Sequence, residues 1–197
     1  CAYPKRNIKY IFVDNISEKG CGPGYSLLCC KKYLQSPFII STVDTITKEA
    51  WPTPDKNWIG IDLVNDSKDF CTVSLKEKTT YIKDIKDKEN CENKFAFIGI
   101  AGIKDYNLFF SSLEKDKKYI KNELQLSNGL KGLIKKGLIG TRFSWIDVGN
   151  KRNYNQAKQK FLKNDNFDFS KNDEYIYFVE NRIIKYFKDS EVIKNRY

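Results

Sequence analysis

What most constrains this chain is the order of its first elements. The run IKYIFV at 8–13 is short, apolar and rich in β-branched and aromatic residues, which predicts a buried strand. It leads into DNISEKGCGPG, a turn-rich stretch, and then YSLLCCKKYL, where Leu27, Leu28 and Leu34 set against Lys31 and Lys32 predict an amphipathic helix. PFIISTV at 37–43 follows as a second apolar strand and stops at Asp44. Strand, glycine loop, helix, strand is a βαβ unit, and such a unit implies parallel strands.

The remainder continues in kind. After the Pro-marked loop WPTPDKN come four closely spaced strand candidates, WIGIDLV, FCTVSLK, TTYIKDI and FAFIGIAGI. Helices are expected over 105–114 and about 122–136, one strand over IGTRFSWI, and a last helix over NKRNYNQAKQKFLKN. The expected fold is therefore α/β, a Rossmann-like, mixed and mainly parallel sheet flanked by helices. Beyond NDNFDFSKND, the runs EYIYFV and RIIKYF joined by Glu180 and Asn181 predict a hairpin, and DSEVIKNRY a helix start capped by Asp189 or Ser190. We expect a main domain over 1–163, a linker over 164–173, and over 174–197 either the start of a second domain or a C-terminal β extension.

Composition narrows the chemistry. Hydrophobic residues at 41% and aromatics at 14% support a packed core. No apolar run approaches the roughly 18 residues of a membrane span, and no signal-like pattern opens the chain, so a cytoplasmic protein is expected. Cys1 leads a sequence that contains no methionine, which reads as an internal piece of something longer. A net charge of +10 suggests nucleic acid or phosphorylated ligands. The basic residues, however, are mostly lysines alternating with Asp and Glu, as in KEKTTYIKDIKDKENCENK, with no arginine cluster among aromatics. A lysine-rich solvated surface outweighs a nucleic-acid face. The six cysteines show no C-x-x-C spacing and histidine is absent, which argues against a zinc site and excludes Ser-His or Cys-His nucleophiles. Cys29 and Cys30 read as buried free thiols. Chemistry must rest on carboxylates, lysines and metal ions.

Three features fall at carboxyl ends of predicted strands, where open α/β sheets bind ligands: the GCGPG loop, Asp44 and Asp147. Two carboxylates on one rim suit Mg²⁺, whose remaining positions take water and substrate phosphates. Each feature has a plainer explanation. The glycine loop could be a tight turn, Asp44 a helix cap before TITKEA, and Asp147 a cap beside Gly149 in a left-handed turn.

The ordered series GPGYSLLCCKKYLQSPFIISTVDTI, YIKDIKDKEN, FAFIGIAGIKDYNLFFSSLE, NELQLSNGLKGLIKKG and FSWIDVGNKRNYNQAKQKF resembles the sugar-nucleotide pyrophosphorylases. These are nucleotidyltransferases that make NDP-sugars and CDP-choline-type products. The resemblance spans about 8–161, and W-x-D-x-G followed by an aromatic and Ala is its most specific piece. It implies a nucleotide-diphospho-sugar transferase fold, with a nucleoside triphosphate and a phosphorylated small molecule as partners. It further implies Mg²⁺ on Asp44 and Asp147, Gly22 and Gly24 approaching the base, and Lys88 on the acceptor phosphate. Gly99 would line the acceptor pocket, and Glu123, an acid near the start of the next helix, would bind the acceptor.

The departures are Asp87-Lys88-Glu89 in place of Glu-Lys-Pro, and Val43 before Asp44 where many members have Gly or Asp. The family's G-x-G-x-R and downstream Pro-Lys, which grip the triphosphate, are not in the chain. They are expected upstream of Cys1, so an N-terminally truncated chain, inactive alone, is expected. The tail is similar to the opening hairpin of choline-kinase-like and aminoglycoside-phosphotransferase-like domains, which occur fused behind such enzymes in surface-polysaccharide biosynthesis. The implied reaction moves NMP from an NTP to a sugar, choline or alditol phosphate and releases pyrophosphate. A non-catalytic nucleotide- or sugar-phosphate-binding module and a basic nucleic-acid-binding domain are the other readings.

Overall fold

The computed structural model describes residues 7–14, 18–161, 174–179 and 182–187. The chain divides into two units, 11–157 and a second formed by 1–10 with 158–197. In the larger unit the order is α1 (Pro23–Cys30), β1 (Phe38–Ser41), β2 (Thr45–Thr47), β3 (Trp58–Leu63), β4 (Cys71–Leu75), β5 (Ile82–Asp87) and β6 (Phe95–Ile103). Then come α2 (Tyr106–Lys115), α3 (Leu126–Leu133), β7 (Ile139–Arg142), β8 (Trp145–Asp147) and α4 (Lys151–Phe161), which continues past the unit boundary. In the smaller unit β9 (Glu174–Val179) and β10 (Arg182–Phe187) pair as the antiparallel hairpin expected from sequence. The helix expected after it, with Asp189 or Ser190 at its cap, and the linker over 164–173 lie outside the described residues.

A mixed sheet ordered β5-β4-β6-β3-β7, with β1 added to β6, forms the centre of the larger unit. Its apolar content explains its position. β6 is buried along most of its length, and Ile59, Ile61, Ile100, Ala101 and Ile103 are fully shielded. Burying one such side chain stabilises by about 1.5–3 kcal/mol. On α2, Phe109, Phe110 and Leu113 share one face, and they meet Leu130 and Leu133 of α3 and Phe38 of β1 in the main core. A second cluster gathers Trp58, Ile98, Ile100 and Phe143. Among the described residues no helix is long and apolar enough to cross a membrane.

The mixed α/β architecture is the expected one, but its strand directions are not. β3–β7 is the one parallel strand ladder among the described residues; β1–β6, β3–β6, β4–β5 and β4–β6 are antiparallel. The parallel expectation rested on residues 8–13 as the first strand of a βαβ unit. These residues join no strand, and Ile8, Tyr10 and Phe12 are exposed. The helix expected from 122 begins at Leu126, because Lys121 and Asn122 both take left-handed conformations and form a tight reversal with Ile120 and Glu123 bonded to each other. The single strand expected over 139–146 is two strands in different sheets. β8 leaves the main sheet and pairs with β2, with Thr45 opposite Asp147 and Thr47 opposite Trp145.

Candidate functional site

The main sheet has an opening, and it comes from register. Residues 101–102 of β6 pair with β1 on one side and β3 on the other, and residues 95–96 pair with β4 and β3. β1 and β4 therefore share one edge of β6 and leave 97–99 between them without a strand. There β6 also bulges, since Ile98, Gly99 and Ile100 face the single residue Gly60. Gly99 has φ +86, and a Cβ on it would sit 2.1 Å from Thr42 Oγ1. Both the backbone angle and the close approach require glycine. Thr42 N–H donates to Gly99 O, and the Thr45 hydroxyl donates to Ile98 O, so the chain after β1 is tied to the bulge. A cavity of about 300 Å³ occupies the gap.

Asp44 and Asp147 stand at one side of this cavity. The β2–β8 ribbon brings them together, and Val148 N–H donates to Asp44 O at 2.9 Å as a further rung. A Cβ placed on Gly149 would lie 3.1 Å from Asp147 Oδ1 and 3.4 Å from Asp44 Oδ2, so the glycine keeps open a gap that both carboxylates border. The helix-cap readings do not hold. Asp44 precedes a strand, and α4 is capped by Asn150, whose Oδ1 accepts Asn153 N–H at 2.9 Å. Asp147 Oδ1 accepts Gly149 N–H at 2.8 Å and its Oδ2 accepts Asn153 Nδ2 at 3.0 Å, which fixes the carboxylate plane. Nor is Gly149 among the positive-φ residues.

These residues fit a Mg²⁺ ion. Two hard oxygen donors with a small space between them match a cation that keeps several positions for water and phosphate. Among the described residues no group of three or more His, Cys, Asp or Glu side chains converges on one point. A closed cage of protein ligands is therefore not what this site offers.

Lys88 and Gly99 line the same cavity. Lys88 takes φ 55, a left-handed conformation that costs a non-glycine residue about 1–3 kcal/mol and tends to cluster at functional sites. Gly22, Gly24 and Glu123 do not line it. Gly24 N–H donates to Leu124 O at 2.8 Å, and Cβ atoms on Gly22 and Gly24 would meet the 123–125 backbone or Glu123 Cβ at 2.8–2.9 Å. The two glycines thus let the loop pack on 123–125. Glu123 is exposed and accepts Gln125 Nε2 at 2.8 Å. Their neighbours Pro23 and Gln125 reach the cavity instead.

Other lining residues carry chemistry that sequence reasoning did not single out. Asp87 is 3% exposed; its Oδ2 accepts the Ser127 hydroxyl at 2.6 Å at the start of α3, and its Oδ1 is buried without a partner. Trp145 Nε1 is likewise buried without a partner. Cys71 lies alongside, and burial first, then the Asp87 carboxylate, push its thiol well above the usual value against weaker opposition from Lys131 and Lys88. Phe70 packs edge-on to Trp145 at 5.8 Å. The departure at Asp87 and the Trp of W-x-D-x-G were visible in the sequence, but neither announced an orphaned polar atom.

The fold is similar to that of several solved structures. A UDP-glucose pyrophosphorylase complexed with UDP-glucose matches with TM-score 0.61 at 19% identity, over 72% of this chain and 62% of that one. A putative glucose-1-phosphate thymidylyltransferase from Bacillus anthracis in complex with a sucrose gives 0.59 at 17%, over 76% and 64%. A UTP-bound UGPase from Acinetobacter baumannii gives 0.56 at 15%, over 71% and 56%. At these identities the likeness is one of fold, and the chain spans about three fifths of the length of the structures it matches. No protein-family model and no curated protein sequence matches it.

Proposed function

We propose that this chain belongs to a nucleotidyltransferase that moves NMP from a nucleoside triphosphate to a phosphorylated small-molecule acceptor, with release of pyrophosphate. The observation that carries the reading is the pair Asp44 and Asp147, set by the β2–β8 ribbon around the Gly149 gap beside a cavity that also holds Lys88. Its fold likeness to the pyrophosphorylases supports the same reading.

In this mechanism Asp44 and Asp147 would hold Mg²⁺, which would neutralise charge on the phosphates. The Lys88 ammonium steadies the acceptor phosphate near the triphosphate, and alignment of the two does most of the work. The attacking acceptor phosphate is already an anion, so no protein base has to remove a proton. A chain without histidine is adequate for that chemistry.

The test is pyrophosphate release from NTP, Mg²⁺ and a sugar 1-phosphate by the full-length protein that contains this chain and by its Asp147→Asn variant. The variant should lose activity by about a hundredfold or more, since charge stabilisation of this kind is worth several kcal/mol. Undiminished turnover in the variant would sink the reading. A nucleotide- or sugar-phosphate-binding module is the second reading. It would bind nucleotide without Mg²⁺ and release no pyrophosphate.

A further inference from the structure

Between β7 and β8 the chain changes sheet, and the three backbone N–H groups of Phe143, Ser144 and Trp145 find acceptors of different kinds. Phe143 N–H donates to Ile61 O at 3.2 Å, a last rung of the main sheet. Ser144 N–H donates to Glu49 Oε1 at 2.9 Å, and Trp145 N–H donates to Asp62 Oδ2 at 3.2 Å. Two carboxylates thus stand where a neighbouring strand would offer carbonyls. Glu49 comes from just beyond β2 and Asp62 from within β3, so the bend is held from both the ribbon and the main sheet. Asp62 Oδ1 accepts Leu63 N–H at 2.8 Å, which orients the carboxylate. The Ser144 hydroxyl, then its amide, hold the Glu49 carboxyl below the usual range.

Satisfying these donors does not by itself require acids. Glu49 and Ser144 are exposed, and water could serve an exposed N–H nearly as well. What a fixed carboxylate adds is direction, and the residues that follow are Trp145 against the cavity and Asp147 at the Gly149 gap.

We propose that Glu49 and Asp62 are positioning residues that clamp the 143–145 bend, so that Asp147 faces Asp44 across the Gly149 gap and Trp145 lies against the cavity. Its consequence for metal binding rests on the proposed role of the two aspartates; its conformational content does not.

The experiment uses the full chain labelled with 5-fluorotryptophan. Its three tryptophans give separate ¹⁹F resonances, with Trp145 assigned by Trp145→Phe. Mn²⁺ is the probe, read through broadening of the Trp145 signal. Glu49→Ala and Asp62→Ala should each shift the Trp145 resonance and weaken Mn²⁺ binding about ten- to a hundredfold, the usual effect of losing a group that orients a ligand. Glu49→Gln and Asp62→Asn keep a carbonyl oxygen in place and should restore both. Because Glu49 is exposed, its variants test the clamp even if Asp62→Ala disturbs β3. A Trp145 resonance unmoved in the alanine variants overturns the proposal, as does unchanged Mn²⁺ affinity in a protein that binds the ion. If the parent protein binds no Mn²⁺, the metal reading fails separately and the resonance alone decides the clamp.

Discussion

Gly149 sets how much room lies between the two carboxylates. Its φ is not positive, so alanine is compatible with the backbone, yet its Cβ would stand 3.1 and 3.4 Å from the two carboxylate oxygens. Gly149→Ala should keep the far-UV spectrum and lose about tenfold or more in Mn²⁺ affinity by calorimetry, as other disturbances of ligand geometry do. Cys71 offers a separate prediction. Its pKa is raised in the fold, so the folded state keeps a proton that the unfolded chain gives up, and the stability this brings is complete below about pH 9, the ordinary thiol value. It drains as pH rises through the raised value. Melting temperature should therefore fall more steeply above pH 9 in the parent than in Cys71→Ala; identical slopes would show that burial does not hold the proton. Asp44 and Asp147 could be found from sequence because each follows an apolar run. Asp87 and Ser127 could not be paired, since only the fold brings β5 to the start of α3.

At the scale of elements, strands such as β3, β4 and β6 are legible as short apolar runs bounded by turn residues. Two elements were not. Thr45, Ile46 and Thr47 are β-branched and favour a strand, but an aspartate in front of them also looks like a helix cap. IGTRFSWI has strand character throughout, and its break shows only in where the N–H groups of 143–145 go. Close approach is a further element-level property that composition hides. Gly102 of β6 lies under Trp58, and a Cβ there would be 2.1 Å from the indole nitrogen. Gly102→Ala should destabilise by about 1–3 kcal/mol in urea titration, the cost of overpacking a dense core. An unchanged midpoint would mean that Trp58 can move aside.

For the whole molecule, the sequence conveyed the α/β class but misjudged strand direction. A chain that alternates strands and helices suggests crossovers, whereas here most neighbours along the sheet run antiparallel. Residues 8–13 carried the right composition for a strand yet form none, because pairing is not a local property. The sheet centre also predicts where the fold opens last. β3 and β6 are paired on both sides and hold fully buried residues, so their amides should exchange slowest in hydrogen–deuterium exchange, well behind those of β9 and β10. Equal protection of the hairpin would contradict this. The ribbon has a different implication, for how such a chain can change length. The spacing of Asp44 and Asp147 is written in the pairing of Thr45 with Asp147, not in the stretch of chain that separates them. Loops between β2 and β8 could lengthen or shorten without altering it, while one residue inserted within either short strand would turn an acid to the opposite face. Insertions and deletions between β2 and β8 in a lineage of this fold should therefore collect in loops and spare the rungs that hold the two acids.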